Sequence, residues 1–181
     1  DAYSFITSPP GSSDWGNRLG DWYFRLLAER VGGLAGHRVL EIGSGTLYIA
    51  EKVVAELEAE EYVACDPALQ EAASTDRIDV AREYFSAGSF AGRAFDLVLS
   101  INTLEHIPDP AAHLGEIRTM LDATGGALYL VVPDCLRGLR EAYLGICIHE
   151  HLSYFTPASL RELLVASGFS LEWLYSEEDT L

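Results

Sequence analysis

A doubly wound α/β fold built on a mostly parallel sheet is predicted by three features of this chain. Apolar runs of strand length recur at 39–42, 62–65, 95–101 and 127–132. Segments with helical apolar spacing lie between them, and a loop with two glycines joins the first run to the first of those segments. Runs that are apolar throughout, rather than alternating, suit a parallel sheet covered on both faces.

Taken in order, residues 1–14 lack periodicity and carry Pro9-Pro10-Gly11, so they read as an irregular arm. Ser13 or Asp14 is placed to cap a helix whose apolar positions are Trp15, Leu19, Trp22, Tyr23, Leu26, Leu27 and Val31, and Gly32-Gly33 stops it. Strand 39–42 runs into Gly43-Ser44-Gly45 and then a helix over roughly 47–58, with Ile49, Val53, Val54 and Leu57 on one side. Strand 62–65 follows, and Ile78 and Val80 mark a short third strand within 76–86. The run from Phe95 to Ile101 is a buried strand, and Pro108 and Pro110 lead into a helix at 111–121. Gly125-Gly126 turns into strand 127–132. Thr156-Pro157 opens a further helix with cap and N1 proline in their preferred places, Gly168 closes it, and a last strand is expected over Ser170–Tyr175.

At 181 residues the chain has length for one domain with a sizeable core, here 15–181. It starts at Asp1 and its one methionine is Met120, so we expect a piece of a longer protein whose C-terminal strands are incomplete. A formal net charge of −16 argues against a nucleic acid partner, because phosphate binding needs a basic footprint. Cys65, Cys135 and Cys147 sit in or beside apolar runs without CxxC spacing, which points to free thiols in a reducing cytoplasm. No signal peptide or membrane-length apolar run stands out.

A strand, a glycine loop and a helix, followed by a second strand ending in Asp66, form a cradle for a nucleoside. Glycines let the backbone approach the ligand, and the second carboxylate accepts hydrogen bonds from ribose hydroxyls. A dinucleotide fingerprint would require a third glycine where Tyr48 stands. Glu41, ahead of the glycines, is also ill placed to face a diphosphate and suits a cationic group instead.

At these residues the chain resembles the class I S-adenosylmethionine-dependent methyltransferases. Glu41, Gly43 and Gly45 match their first motif, in which a third glycine would fall at Leu47, and Asp66 matches the acid after their second strand. Phe95-Asp96-Leu97-Val98, leading to Asn102 and Leu104-Glu105-His106-Ile107-Pro108, is similar to their fourth-strand signature, and Gly126–Pro133 to their fifth. The resemblance covers most of 37–175 and implies a Rossmann-like fold with S-adenosylmethionine as cofactor. Glu41, Gly43, Gly45, Asp66 and Asn102 would hold it, and Asp79 after the third strand would receive the adenine amino group.

The second informative stretch is His149-Glu150-His151-Leu152-Ser153-Tyr154-Phe155-Thr156. Methyl transfer from a sulfonium mainly requires alignment of the acceptor, and where a proton is lost a histidine is the natural base. The run resembles that of the deoxysugar C-methyltransferases, as does the Tyr3–Ser8 arm. The resemblance implies His151 as base toward a carbon next to a ketone, Glu150 as its partner, and Tyr3, His106, His149 and Tyr154 lining an acceptor pocket. Ile148 stands where that group usually has tyrosine, and its cysteine-rich zinc module is not among these residues. The alternatives are an O- or N-methyltransferase whose cluster only positions the acceptor, or a non-catalytic domain binding a ligand or partner. A His-x-His pair presents two imidazoles on one side of a strand, but no third ligand clusters with it in the sequence, so no metal is expected. The expected acceptor is a small molecule, such as a nucleotide-linked sugar.

Overall fold

The structure, a computed structural model, describes residues 9–70, 72–143 and 150–176. Its elements are α1 (Asp14–Val31), β1 (Arg38–Ile42), α2 (Tyr48–Glu56), β2 (Glu61–Cys65), β3 (Ile78–Ala81), β4 (Leu97–Ile101), α3 (Pro110–Asp122), β5 (Ala127–Val131), α4 (Leu136–Arg140) and α5 (Pro157–Ala166). Short 3-10 turns occupy Ala87–Phe90 and Leu104–His106. The five strands pair in the order β3-β2-β1-β4-β5, all parallel. The order reverses between β1 and β4, and in open parallel sheets ligands bind at the carboxyl edge beside such a reversal.

Alternation along each strand divides the core into two layers. Val39, Tyr62, Ala64, Leu97 and Leu99 face Phe24 and Leu27 of α1 and Ile49, Ala50 and Val53 of α2. Leu40, Ile42, Val63, Cys65 and Val98 face Ile117 and Leu121 of α3. A third cluster joins Leu114 and Leu104 to Phe155, Leu160 and Leu164, which seats α5 beyond β5. The predicted helix signals act as expected. The Ser13 hydroxyl accepts from Gly16 N–H, Asp109 from Ala112 N–H with Pro110 behind it, and Thr156 and Ser159 form a reciprocal capping box.

The predicted strand over Ser170–Tyr175 does not form. These residues make no ladder, and β5 has no neighbour on its outer edge among the described residues. The aromatic side chains explain the path. The Arg30 guanidinium lies 4.4 Å from the Trp173 ring centroid, Tyr175 stacks on Trp173, and its ring meets the edge of Trp22. These contacts draw the segment toward α1 instead of laying its backbone against β5. Cys65 and Cys135 are free and buried, while Cys147 lies outside the described residues. Among the described residues, no helix is long and apolar enough to cross a membrane.

Candidate active site

The loop after β1 is tied down at each residue. Gly43 N–H donates to the Cys65 carbonyl at 2.8 Å, and Gly45 N–H donates to Asp66 Oδ2 at 2.9 Å. Both glycines have positive φ, +74° and +60°. The two differ in what surrounds them. A Cβ on Gly43 would sit 2.1 Å from Thr103 Oγ1, so this glycine lets the end of β1 meet the end of β4 at the reversal of strand order. A Cβ on Gly45 would meet nothing within 4 Å, so the loop has open space there for a ligand. Between them, the Ser44 hydroxyl is buried and makes no hydrogen bond among the described residues. Behind the loop, Thr46 donates to the Pro10 carbonyl, and Tyr48 donates to Asp21, which also pairs with Lys52 at 3.0 Å.

The two acids of the cradle have different environments. Glu41, inside β1, is 2% exposed and accepts a 2.7 Å hydrogen bond from the Tyr62 hydroxyl. Burial pushes its carboxyl up to about 8; the Tyr62 bond opposes the shift and the Asp66 charge adds to it. Without a cation beside it, Glu41 is therefore largely protonated at neutral pH. Asp66, after β2, accepts Gly45 N–H on one oxygen and Ala68 N–H on the other. Each carboxylate oxygen can accept more than one hydrogen bond, which leaves capacity for hydroxyls of a ligand.

Other predicted cofactor residues fare unequally. Asn102 follows β4 with φ +50°, and its amide donates to the Tyr23 hydroxyl at 3.1 Å. Leu47 precedes α2 with φ −92°, where an L-residue sits without strain, and it packs against the α2 core layer. Asp79 requires a correction. It lies inside β3, paired in register with Val63, and not after the strand. Its carboxylate is held at 2.8 Å by Arg93, which also pairs with Glu61. The register places it back from the carboxyl edge, so the fold does not bring it to the glycine loop.

The histidine region is assembled from two distant segments. Leu152 N–H and Ser153 N–H both donate to the Glu105 carbonyl, at 2.8 and 3.1 Å, and His106 Nδ1 lies 3.0 Å from the Glu150 carbonyl. A carbonyl only accepts, so His106 Nδ1 is the donor there, and the neutral tautomer with this bond has its lone pair on Nε2. The His106 and His151 rings meet edge to face at 4.9 Å, and Tyr154 lies 6.1 Å from His151. Burial lowers the His151 pKa below its ordinary value; the neighbouring His106 adds to this and Glu150 opposes it. Glu105 is 1% exposed, and burial raises its carboxyl to about 7. Tyr3 and His149 lie outside the described residues.

Sequence reasoning missed three residues that the geometry makes central. Thr103 occupies the space that Gly43 leaves, Tyr62 holds Glu41, and Glu105 points a buried carboxylate at the two histidines. The signal for Tyr62 is available: it is the polar-tipped residue of β2 in the run that pairs beside Glu41. Glu105 lies within the fourth-strand signature, and nothing in the sequence marks it as reaching His151, 46 positions away by number. In the fold Glu105 and His106, rather than a sequence neighbour, stand beside His151, and the three offer one ligand atom each within 4.8 Å of one another.

Comparison with known proteins shows the family to which this fold belongs. A family profile described as "Methyltransferase domain" matches residues 9–173. The ubiquinone biosynthesis O-methyltransferase of Aeromonas salmonicida is 26% identical over 82% of this chain and 67% of its own length. Among solved structures, the YcgJ protein from Bacillus subtilis superposes with a TM-score of 0.63 at 18% identity, covering 81% of this chain and 68% of that one. The cyclopropane synthase MmaA2 of Mycobacterium tuberculosis gives 0.61 at 17% identity, covering 93% and 66%. With the profile spanning most of its length, on a five-stranded parallel sheet with this loop, the chain belongs to the methyltransferase domain family and is an S-adenosylmethionine-dependent methyltransferase.

Proposed function

We propose that this enzyme methylates a small-molecule acceptor that gives up a proton, with His151 as the group that takes it. The observation that carries this reading is the pairing of a neutral-leaning His151 with His106 just beyond Thr103, the residue that packs on Gly43. The cofactor, when bound, supplies an activated methyl group with its own leaving group. The residues present fit it. The space at Gly45, the buried Ser44 hydroxyl and the spare acceptor capacity of Asp66 suit a nucleoside, and Glu41 suits an ammonium group. A cation at Glu41 would offset the burial that keeps it protonated.

The chain's own part is alignment and proton transfer. Gly43 and Gly45 let the loop approach the cofactor, and Asp66 fixes the loop through Gly45 N–H. His151 acts as base, with Glu150 on the same segment and with His106 and Tyr154 beside it. For the acceptor itself, the His-Glu-His-Leu-Ser-Tyr run supports a nucleotide-linked keto-deoxysugar methylated at carbon. A second reading, methylation of a hydroxyl, is favoured by the relatives named as ubiquinone biosynthesis O-methyltransferases. Both acceptors lose a proton, so both use the same base. Buried, free Cys65, whose thiol is pushed up to about 12 mainly by burial, supports work in a reducing cytoplasm.

The test combines S-adenosylhomocysteine calorimetry with turnover of keto-sugar and phenol panels followed by mass spectrometry. Binding and a product heavier by one methyl are expected, with turnover reduced about 100-fold or more in His151→Gln. No heat at millimolar ligand, or undiminished turnover in the variant, overturns the reading.

A further inference from the structure

We infer that Glu105, His106 and His151 form a binding site for one divalent transition-metal cation. One ligand atom from each residue lies within 4.8 Å of the others, and His106 Nε2 stands 3.9 Å from Glu105 Oε1. Two imidazoles and one carboxylate are the donor set that suits zinc, cobalt, manganese or ferrous iron rather than magnesium or calcium. Metal–ligand distances of about 2.1 Å place tetrahedral donors about 3.4 Å apart, so the three side chains need to close by roughly an ångström.

Three further observations point to a ligand here. Glu105 Oε2 is fully buried and has no hydrogen-bond partner among the described residues. An isolated buried carboxylate oxygen is costly, and a cation removes that cost. His151 Nδ1 is likewise buried without a partner. The third is orientation. The Glu150 carbonyl binds His106 Nδ1 and so turns its lone-pair nitrogen toward Glu105, which is how the outer partners of a metal-bound histidine fix its tautomer. The Glu105 carbonyl in turn anchors Leu152 and Ser153, holding His151 beside the other two side chains. Three protein donors leave at least one coordination position for water or for an oxygen of the acceptor. That last point alone rests on the proposed function; the site itself does not, and because a neutral imidazole has one lone pair, His151 serves as base only where the cation does not hold it.

The test uses tag-free protein stripped with chelator and titrated with Co2+, followed by visible absorption and calorimetry, with S-adenosylhomocysteine binding measured on the same sample. One Co2+ per chain with intense visible bands is expected, and Zn2+ should displace it. Glu105→Gln and His151→Gln should each weaken Co2+ at least about tenfold, while both still bind S-adenosylhomocysteine, which shows that they fold. Cobalt binding no tighter than in a His106→Gln/His151→Gln double variant overturns the site. If that happens while S-adenosylhomocysteine still binds, the methyl-transfer reading stands without the metal. Cobalt binding without S-adenosylhomocysteine binding leaves the site and removes that reading.

Discussion

The glycine loop and the histidine cluster lie on the same edge of the sheet but are built in opposite ways. The loop is made from neighbours in sequence, residues 41–48, braced by one strand end at Asp66 and by the arm at Pro10. Its polar groups are largely engaged, and its one strongly perturbed acid, Glu41, has a dedicated donor in Tyr62. The cluster is made from residues 105–106 and 150–154, joined by three backbone-directed hydrogen bonds, and leaves buried polar atoms without partners. The difference teaches where each part draws its precision. The loop is held by backbone conformation, so its weak points are glycines. The cluster is held by docking of two segments, so its weak points are side chains.

The largest effect should come from the backbone side. Gly43→Ala combines a positive φ with a Cβ 2.1 Å from Thr103 Oγ1, and is expected to destabilise the fold by about 3 kcal/mol or more in urea unfolding. Pairing it with Thr103→Gly should recover part of that loss. Gly45→Ala meets no neighbour and should cost only about 1 kcal/mol, while still impairing S-adenosylhomocysteine binding. Equal stability losses in the two alanine variants would erase the contrast between the glycines.

Next comes Glu41, where the two regions respond to pH alike in direction. Its folded pKa of about 8 and that of Glu105, about 7, lie above their unfolded values. Between pH 4.5 and 8 the native state thus holds protons that the unfolded chain has released, so stability of the ligand-free protein falls as pH rises. Binding of a cationic ligand at Glu41 requires its ionisation and should strengthen toward pH 8, by up to about tenfold per unit, with proton release in calorimetry. Glu41→Gln should weaken S-adenosylhomocysteine by roughly tenfold or more and flatten that pH dependence. A variant that keeps the wild-type pH slope would assign the slope to another group.

The smallest effect is expected at Asp79. Its exposed pairing with Arg93 is worth about 0.5 kcal/mol, so Asp79→Ala should leave both stability and S-adenosylhomocysteine affinity nearly unchanged. A tenfold affinity loss would return it to the adenine site.

The contrast also explains what was legible in the sequence. Period and punctuation define β1, β2, β4 and β5 and the caps of α1, α3 and α5, because these depend on residues within a few positions of one another. The cofactor side was legible for the same reason: Glu41, Gly43 and Gly45 lie within five residues of one another, and Asp66 directly follows the next strand. The strand expected at Ser170–Tyr175 fails because strand formation needs a ladder partner, which no local pattern can guarantee. Asp79 was displaced by a slip of a few residues in a short strand, where boundaries are weakly marked.

The sequence by itself determined the parallel sheet, the glycine cradle with its two acids, and the presence of a histidine segment before α5. Only the tertiary structure decided that Thr103 fills the space above Gly43, that Tyr62 holds Glu41, and that Glu105 and His106 stand against His151. The reason is physical. Backbone conformation and periodic burial are written over a few residues, whereas contacts between side chains far apart in the chain exist only once the strand order β1-β4-β5 has brought their loops to one edge.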